Sequence, residues 1–115
     1  MKENIIQDKT KKFALRIIKL YKFLYSEKKE HTLSKQILRS GTSIGANVKE
    51  AIVAYTKPDF YAKMSIALKE ANETEYWLEL LHESEYIETD AFQSIYKECK
   101  EIIKILMSIS KTRTK

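Results

Sequence analysis

Apolar side chains return every three or four residues over almost the whole chain, the period of a helix buried along one face. In the first such stretch Phe13, Ile17, Leu20, Tyr21 and Leu24 share a face that Ala14, Ile18 and Tyr25 widen. The pattern predicts a helix over about residues 8–28, capped by Asp8 and ended by the polar run Ser26-Glu-Lys-Lys-Glu-His31. A second stripe, Leu33, Ile37, Gly41, Ile44, Val48, Ala51 and Tyr55, predicts a helix over about 32–55 with Thr32 as its cap. Pro58 stops that helix, because the residue before a proline is pushed out of the α region. It also fits the first turn of the next helix.

The third helix is expected over about 58–84, with Phe60, Met64, Ala67, Ala71, Thr74, Leu78 and Leu81 on one stripe. Tyr61, Ile66, Tyr76, Trp77 and Leu80 lie off that stripe, and two apolar faces call for two neighbours, of which a second subunit is one candidate. The fourth helix, over about 89–110, is capped by Thr89 or Asp90 and repeats Phe92, Ile95, Cys99, Ile102, Leu106 and Ile109, with Tyr96, Ile103 and Met107 on its flank. The basic tail from Lys111 to Lys115 is expected to fray. Links this short make consecutive helices antiparallel neighbours, so the fold class is all-α, an up-down-up-down four-helix bundle in one domain over residues 1–115. One proline and two glycines leave almost no turn material for a β-rich alternative.

Charge changes the picture in one respect. The net charge of +5 is unevenly spread: residues 1–30 carry +5, 31–57 carry +3, 58–90 carry −7 and 91–115 carry +4. An acidic segment among basic ones suits internal or inter-subunit pairing as well as it suits nucleic-acid binding. The single Cys99 excludes an internal disulfide and fits a reducing cytoplasm. The first residues lack the apolar run of a signal peptide, and no apolar stretch reaches the ~20 residues of a membrane span. A cytoplasmic location is the expectation.

Candidate chemistry concentrates in one segment, Arg39-Ser-Gly-Thr-Ser-Ile-Gly-Ala-Asn-Val-Lys-Glu-Ala51. Both glycines of the chain fall inside its helical period, where each costs about 1 kcal/mol relative to alanine. Close approach of another element is the usual reason, and the small patch from Ser40 to Ala46 is broad enough to receive the ring of Trp77 or Tyr76. Arg39, Ser43, Asn47 and Glu50 share one face, with Glu70, Glu73 and Glu75 on the facing helix, a spacing suited to a polar network between helices or subunits. Catalytic and metal patterns are incomplete. Glu79-x-x-His82 is one half of a di-iron motif whose second copy is missing, and one cysteine with two histidines makes no zinc site. Cys99 lies on an apolar stripe, Ser40 and Ser43 have no histidine nearby, and the glycines lack the strand and lysine of a phosphate loop. No catalytic residue, metal or cofactor is expected, and no small-molecule substrate. Basic stripes run along the outer helices, with Lys9, Lys12, Arg16 and Lys19 on the first and Lys97, Lys100 and Lys104 on the fourth; Lys11, Lys22, Lys111 and Arg113 extend them. Phosphate contact needs only such density of charge.

The run from Gln36 to Ala51, followed by Asp59-Phe-Tyr-Ala-Lys-Met-Ser-Ile-Ala-Leu-Lys-Glu-Ala-Asn-Glu-Thr-Glu-Tyr-Trp-Leu78, resembles the bacterial four-helix bundle protein family, whose members include proteins encoded within intervening sequences of 23S rRNA genes. The likeness rests on Arg39, Ser43, Ile44, Asn47 and Glu50 with Glu70, Glu73 and Trp77; Ala51 stands where many members have glycine. That family resembles in turn the accessory protein of diversity-generating retroelements, a pentameric basic bundle that binds nucleic acid. The resemblance implies a homopentameric ring and RNA or DNA as a partner, and it carries over no catalytic residue. Two readings follow: a non-enzymatic oligomer that binds RNA or DNA through its basic helix faces, or a structural protein–protein interaction module with no nucleic-acid ligand.

Overall fold

The computed structural model describes residues 2–112, and four helices account for nearly all of them: α1 (Lys2–Ser26), α2 (Leu33–Ile52), α3 (Lys57–Glu83) and α4 (Thr89–Lys111). There is no strand among the described residues. Each helix packs on its neighbours in a closed ring, α1 on α2, α2 on α3, α3 on α4 and α4 on α1, which is the up-down-up-down bundle. The molecule is a rod of 45 × 20 × 18 Å, about the length of its longest helix at 1.5 Å per residue. Tail residues 113–115, Arg113 among them, lie outside the described part.

The stripes supply the core. Phe13, Ile17, Leu24, Ile37, Ile44, Val48, Met64, Leu78, Leu81, Ile102 and Leu106 are all fully enclosed. α1 starts a turn and a half before the expected Asp8, because Ile6 is also fully buried and extends the stripe. The intervening position is Thr10, whose hydroxyl is buried and satisfied by donating to the Ile6 carbonyl at 2.8 Å. Asp8 is therefore inside the helix and pairs with Lys12 at 3.1 Å instead of capping. Thr32 makes no side-chain cap; the Glu30 carboxylate takes that role, accepting from the backbone N–H of Ser34 at 2.7 Å. α2 ends at Ile52, so Tyr55 lies beyond it and is fully exposed rather than on the stripe. α3 starts as the proline requires, with Thr56 accepting from the Asp59 N–H at 3.2 Å. α4 begins after Glu88, and neither Thr89 nor Asp90 caps it.

Glycine is not used where the chain turns. Lys29 and Glu85 adopt positive φ of 55° and 68° after α1 and α3, and Tyr86 N–H closes the end of α3 on the Leu81 carbonyl at 2.9 Å. The two glycines serve packing between α1 and α2. A Cβ on Gly41 would stand 2.8 Å from both Cγ atoms of Ile17, and one on Gly45 would stand 3.4 Å from the Thr10 carbonyl oxygen. Ile17 and Thr10, not Trp77 or Tyr76, meet the glycine patch.

Candidate nucleic-acid interface and polar network

The polar face of α2 divides into separate arrangements. Arg39 forms ion pairs with Glu70, at 3.3 Å, and with Glu73 on α3. Glu73 also accepts from the indole N–H of Trp77 at 3.0 Å, which orients the carboxylate toward the guanidinium. Behind this cluster, in the buried layer, Thr74 donates to Ser40 at 2.8 Å. Ser43 and Asn47 do not join Arg39 through their side chains. Ser43 donates to the Arg39 carbonyl at 2.6 Å and Asn47 to the Ser43 carbonyl at 2.9 Å, both along their own helix. Glu50 pairs with Lys63 at 2.9 Å, a second link between α2 and α3. Glu75 turns the other way and holds Lys100 of α4 at 2.9 Å.

A third polar group ties α3 to α4, and sequence reasoning missed it. The Tyr96 hydroxyl donates to Glu79 at 2.6 Å, Lys100 lies over the Tyr96 ring at 5.5 Å, and His82 and Phe92 continue the stack with rings 4.2 Å apart and nearly parallel. The hydrogen bond to Glu79, with burial and the nearby Glu75 charge, pushes the Tyr96 hydroxyl up to about 12. The bond to Glu75 likewise raises Lys100 above its ordinary value. Cys99 is buried beneath this group, donates weakly to the Ala71 carbonyl at 3.5 Å, and is pushed up to about 12 mainly by burial. A thiol held protonated in this way is a poor nucleophile. Among the described residues no cluster of three or more His, Cys, Asp or Glu side chains is placed to hold a metal ion. His82 and Glu79 are each engaged with α4 instead.

These pairs change the reading of the basic stripes. Of the predicted phosphate contacts, Arg16 bridges to Glu98 and Ser94 of α4, Lys12 is paired with Asp8, and Lys100 is held by Glu75. Lys9, Lys19, Lys97 and Lys104 have no ion pair among the described residues, nor do Lys11 and Lys22. On α3, Arg39 spans Glu70 and Glu73 and Lys100 meets Glu75, while the unpaired lysines of α1 keep a surplus of positive charge on that helix. Between those two helices runs a groove. Adjoining hollows of about 230, 540, 320 and 800 Å³ share Ile5, then Arg16, then Lys19 and Leu20 as common walls. α1 and α4 meet over fewer residues than any other neighbouring pair in the ring.

Fold and site together define an antiparallel helical bundle whose polar residues tie helix to helix and whose open α1/α4 seam carries the unpaired Lys9, Lys19 and Lys104. The family model of the 23S rRNA-intervening sequence protein matches residues 2–108, and the chain belongs to that family. It is also similar to a solved structure from Bacteroides thetaiotaomicron VPI-5482, described as a protein of unknown function from the S23 ribosomal protein family. That chain is 58% identical, with a TM-score of 0.94 over 96% of this chain and 99% of the other. Comparison with curated proteins gives no match. No helix among the described residues is long and apolar enough to cross a membrane.

Proposed function

We propose that this protein is a non-enzymatic, cytoplasmic homo-oligomer, a pentamer by the family likeness, that binds RNA or DNA through the exposed faces of α1 and α4. One observation carries the reading: Lys9 and Lys19 of α1 and Lys104 of α4 line the α1/α4 hollows with no ion pair among the described residues, and Lys97 is exposed on α4. Counterion release makes such contacts steeply salt-dependent, and an oligomer multiplies them. The test is a salt titration of binding to a mixed-sequence duplex and to single strands. Changing Lys9, Lys19, Lys97 and Lys104 together to glutamine should lower the slope of log affinity against log salt by about 0.9 per lost duplex phosphate contact. Absence of binding at low salt would sink the nucleic-acid reading, and a concentration-independent monomer mass in sedimentation would sink the oligomer.

A second reading, a structural interaction module without a nucleic-acid ligand, is favoured by the exposed apolar side chains Leu15, Ile66, Tyr76 and Met107. An oligomer that binds no polyanion at low salt would select it.

A further inference from the structure

The α1/α4 groove ends in its largest hollow, about 800 Å³, where the last turns of α1 face the link between α3 and α4. Its lining differs from the rest of the groove. Phe23 is 43% exposed and offers a ring to the hollow, with the flexible Lys28 ammonium over it 5.7 Å from its centre. Leu20 and the buried Ile87 add apolar wall, and Lys19 a second cation. Glu85 and Glu88 contribute carboxylates from the link. None of the four charged groups has an ion pair among the described residues.

A flat ring, flanking cations and free carboxylate acceptors match what an unpaired nucleobase presents. Its π face stacks on an aromatic ring, its neighbouring phosphates seek cations, and its edge offers N–H donors. Guanine has two adjacent donors, on N1 and N2, that fit the two oxygens of one carboxylate. The volume lies in the range of small-ligand pockets. The carboxylates also discriminate, because they repel phosphate, and guanine's N1 and N2 donors are available together only when the base is unpaired.

We propose that this hollow takes one unpaired base of a single-stranded RNA or DNA, guanine by preference, stacked on Phe23 with its edge on Glu85 or Glu88 and its phosphates near Lys19 and Lys28. The proposal rests on the nucleic-acid reading above and narrows it: the outer lysines accept any polyanion, and the hollow selects single strands.

The experiment is fluorescence anisotropy with thymine strands of about ten nucleotides, with and without one central guanine, in ribose and deoxyribose forms (uracil replacing thymine in the ribose form), beside a duplex of equal length. The guanine strand of either sugar should bind more tightly than the strand lacking it. Phe23→Ala should weaken that binding about tenfold, in line with one lost base–ring stack, and leave the duplex unchanged. Phe23→Tyr should restore it, which separates stacking from damage to the fold. Glu85→Gln combined with Glu88→Gln should abolish the guanine preference. Equal effects of Phe23→Ala on strand and duplex, or none on either, would overturn the hollow while leaving the nucleic-acid reading intact. No binding of any probe would overturn both.

Discussion

α1 has two neighbours and treats them in opposite ways. Against α2 it is drawn in until Ile17 rests on the bare backbone of Gly41 and the Thr10 carbonyl on that of Gly45. Against α4 it stands off, leaving a line of hollows crossed by the Arg16–Glu98 bridge. The same helix builds a closed seam with small residues and an open seam with long charged ones. Tolerance to substitution should therefore differ sharply between the two. The closed seam has no spare volume at Gly41, although a hollow of about 370 Å³ opens beside Gly45, and the open seam has solvent to relax into.

The largest expected effect is at Gly41. Alanine there gains about 1 kcal/mol of helix propensity. Its Cβ, however, would lie 2.8 Å from two carbons of Ile17 and 3.2 Å from the Ile17 Cβ. Those atoms sit at the root of a β-branched side chain and cannot swing aside, so α1 itself must shift. Overpacking of this kind costs typically 1–3 kcal/mol. Gly41→Ala should lower the melting temperature by several degrees, on the order of 4–8 °C per net kcal/mol. A variant as stable as the parent would mean the seam is looser than its geometry says.

Alkaline pH tests a different seam, α3/α4. Cys99 ionises at about 12 in the fold against an ordinary 9.0, and Tyr96 at about 12 against 10.0. Between these values the unfolded chain holds fewer protons than the folded one, so stability falls as pH rises. Lys100, raised by Glu75, works in the same direction. Its contribution is whole below the unfolded lysine pKa and is lost as pH climbs through the folded one. Stability should decline from about pH 9 onward, and Cys99→Ala should delay the onset by about one unit, to where tyrosine begins to ionise. Chemical denaturation at a series of pH values reads this directly; parallel curves for parent and variant would contradict a buried thiol.

How much of this was legible in the sequence follows from the kind of residue involved. Apolar stripes announce themselves, and Ile17, Ile44, Leu78 and Leu106 sit where their spacing placed them. The start of α1 was hidden because Thr10 breaks the stripe while satisfying its own hydroxyl inside the helix. Caps were misread for a related reason: Glu30 outcompetes Thr32 only because the loop folds its carboxylate back on the helix end. The facing positions of Arg39, Glu70 and Glu73 could be read from helical period. The Arg16–Glu98 and Lys100–Glu75 pairs could not: Glu75 fitted equally well among the carboxylates facing Arg39, and Arg16 stood in a basic stripe with nothing to mark its partner on α4. Without them, free and occupied lysines look alike, and the groove does not exist as a sequence pattern at all.

Gly45 sharpens the comparison within the closed seam. An added Cβ would stand 3.4 Å from Thr10, an ordinary contact, and the helix would gain the propensity that Gly41→Ala cannot realise. Gly45→Ala should raise stability by about 0.5–1 kcal/mol. A loss comparable to that at Gly41 would show that both glycines, not one, set the separation of α1 from α2.

The smallest effect belongs to the open seam and tests it from the other side. Arg16 and Glu98 retain 38% and 34% of their side-chain exposure, so water already screens the bridge. Pairs of this kind contribute about 0–1 kcal/mol. Glu98→Gln should therefore leave the melting temperature almost unchanged. It should also release Arg16 into the groove and remove a negative charge from a face that presents Lys9 and Lys19 beside the Asp8–Lys12 pair. If that face meets phosphate, affinity for nucleic acid should rise and its salt dependence steepen. A variant that loses stability as Gly41→Ala does would place the bridge among the contacts that hold the bundle closed, and the contrast between the two sides of α1 would collapse.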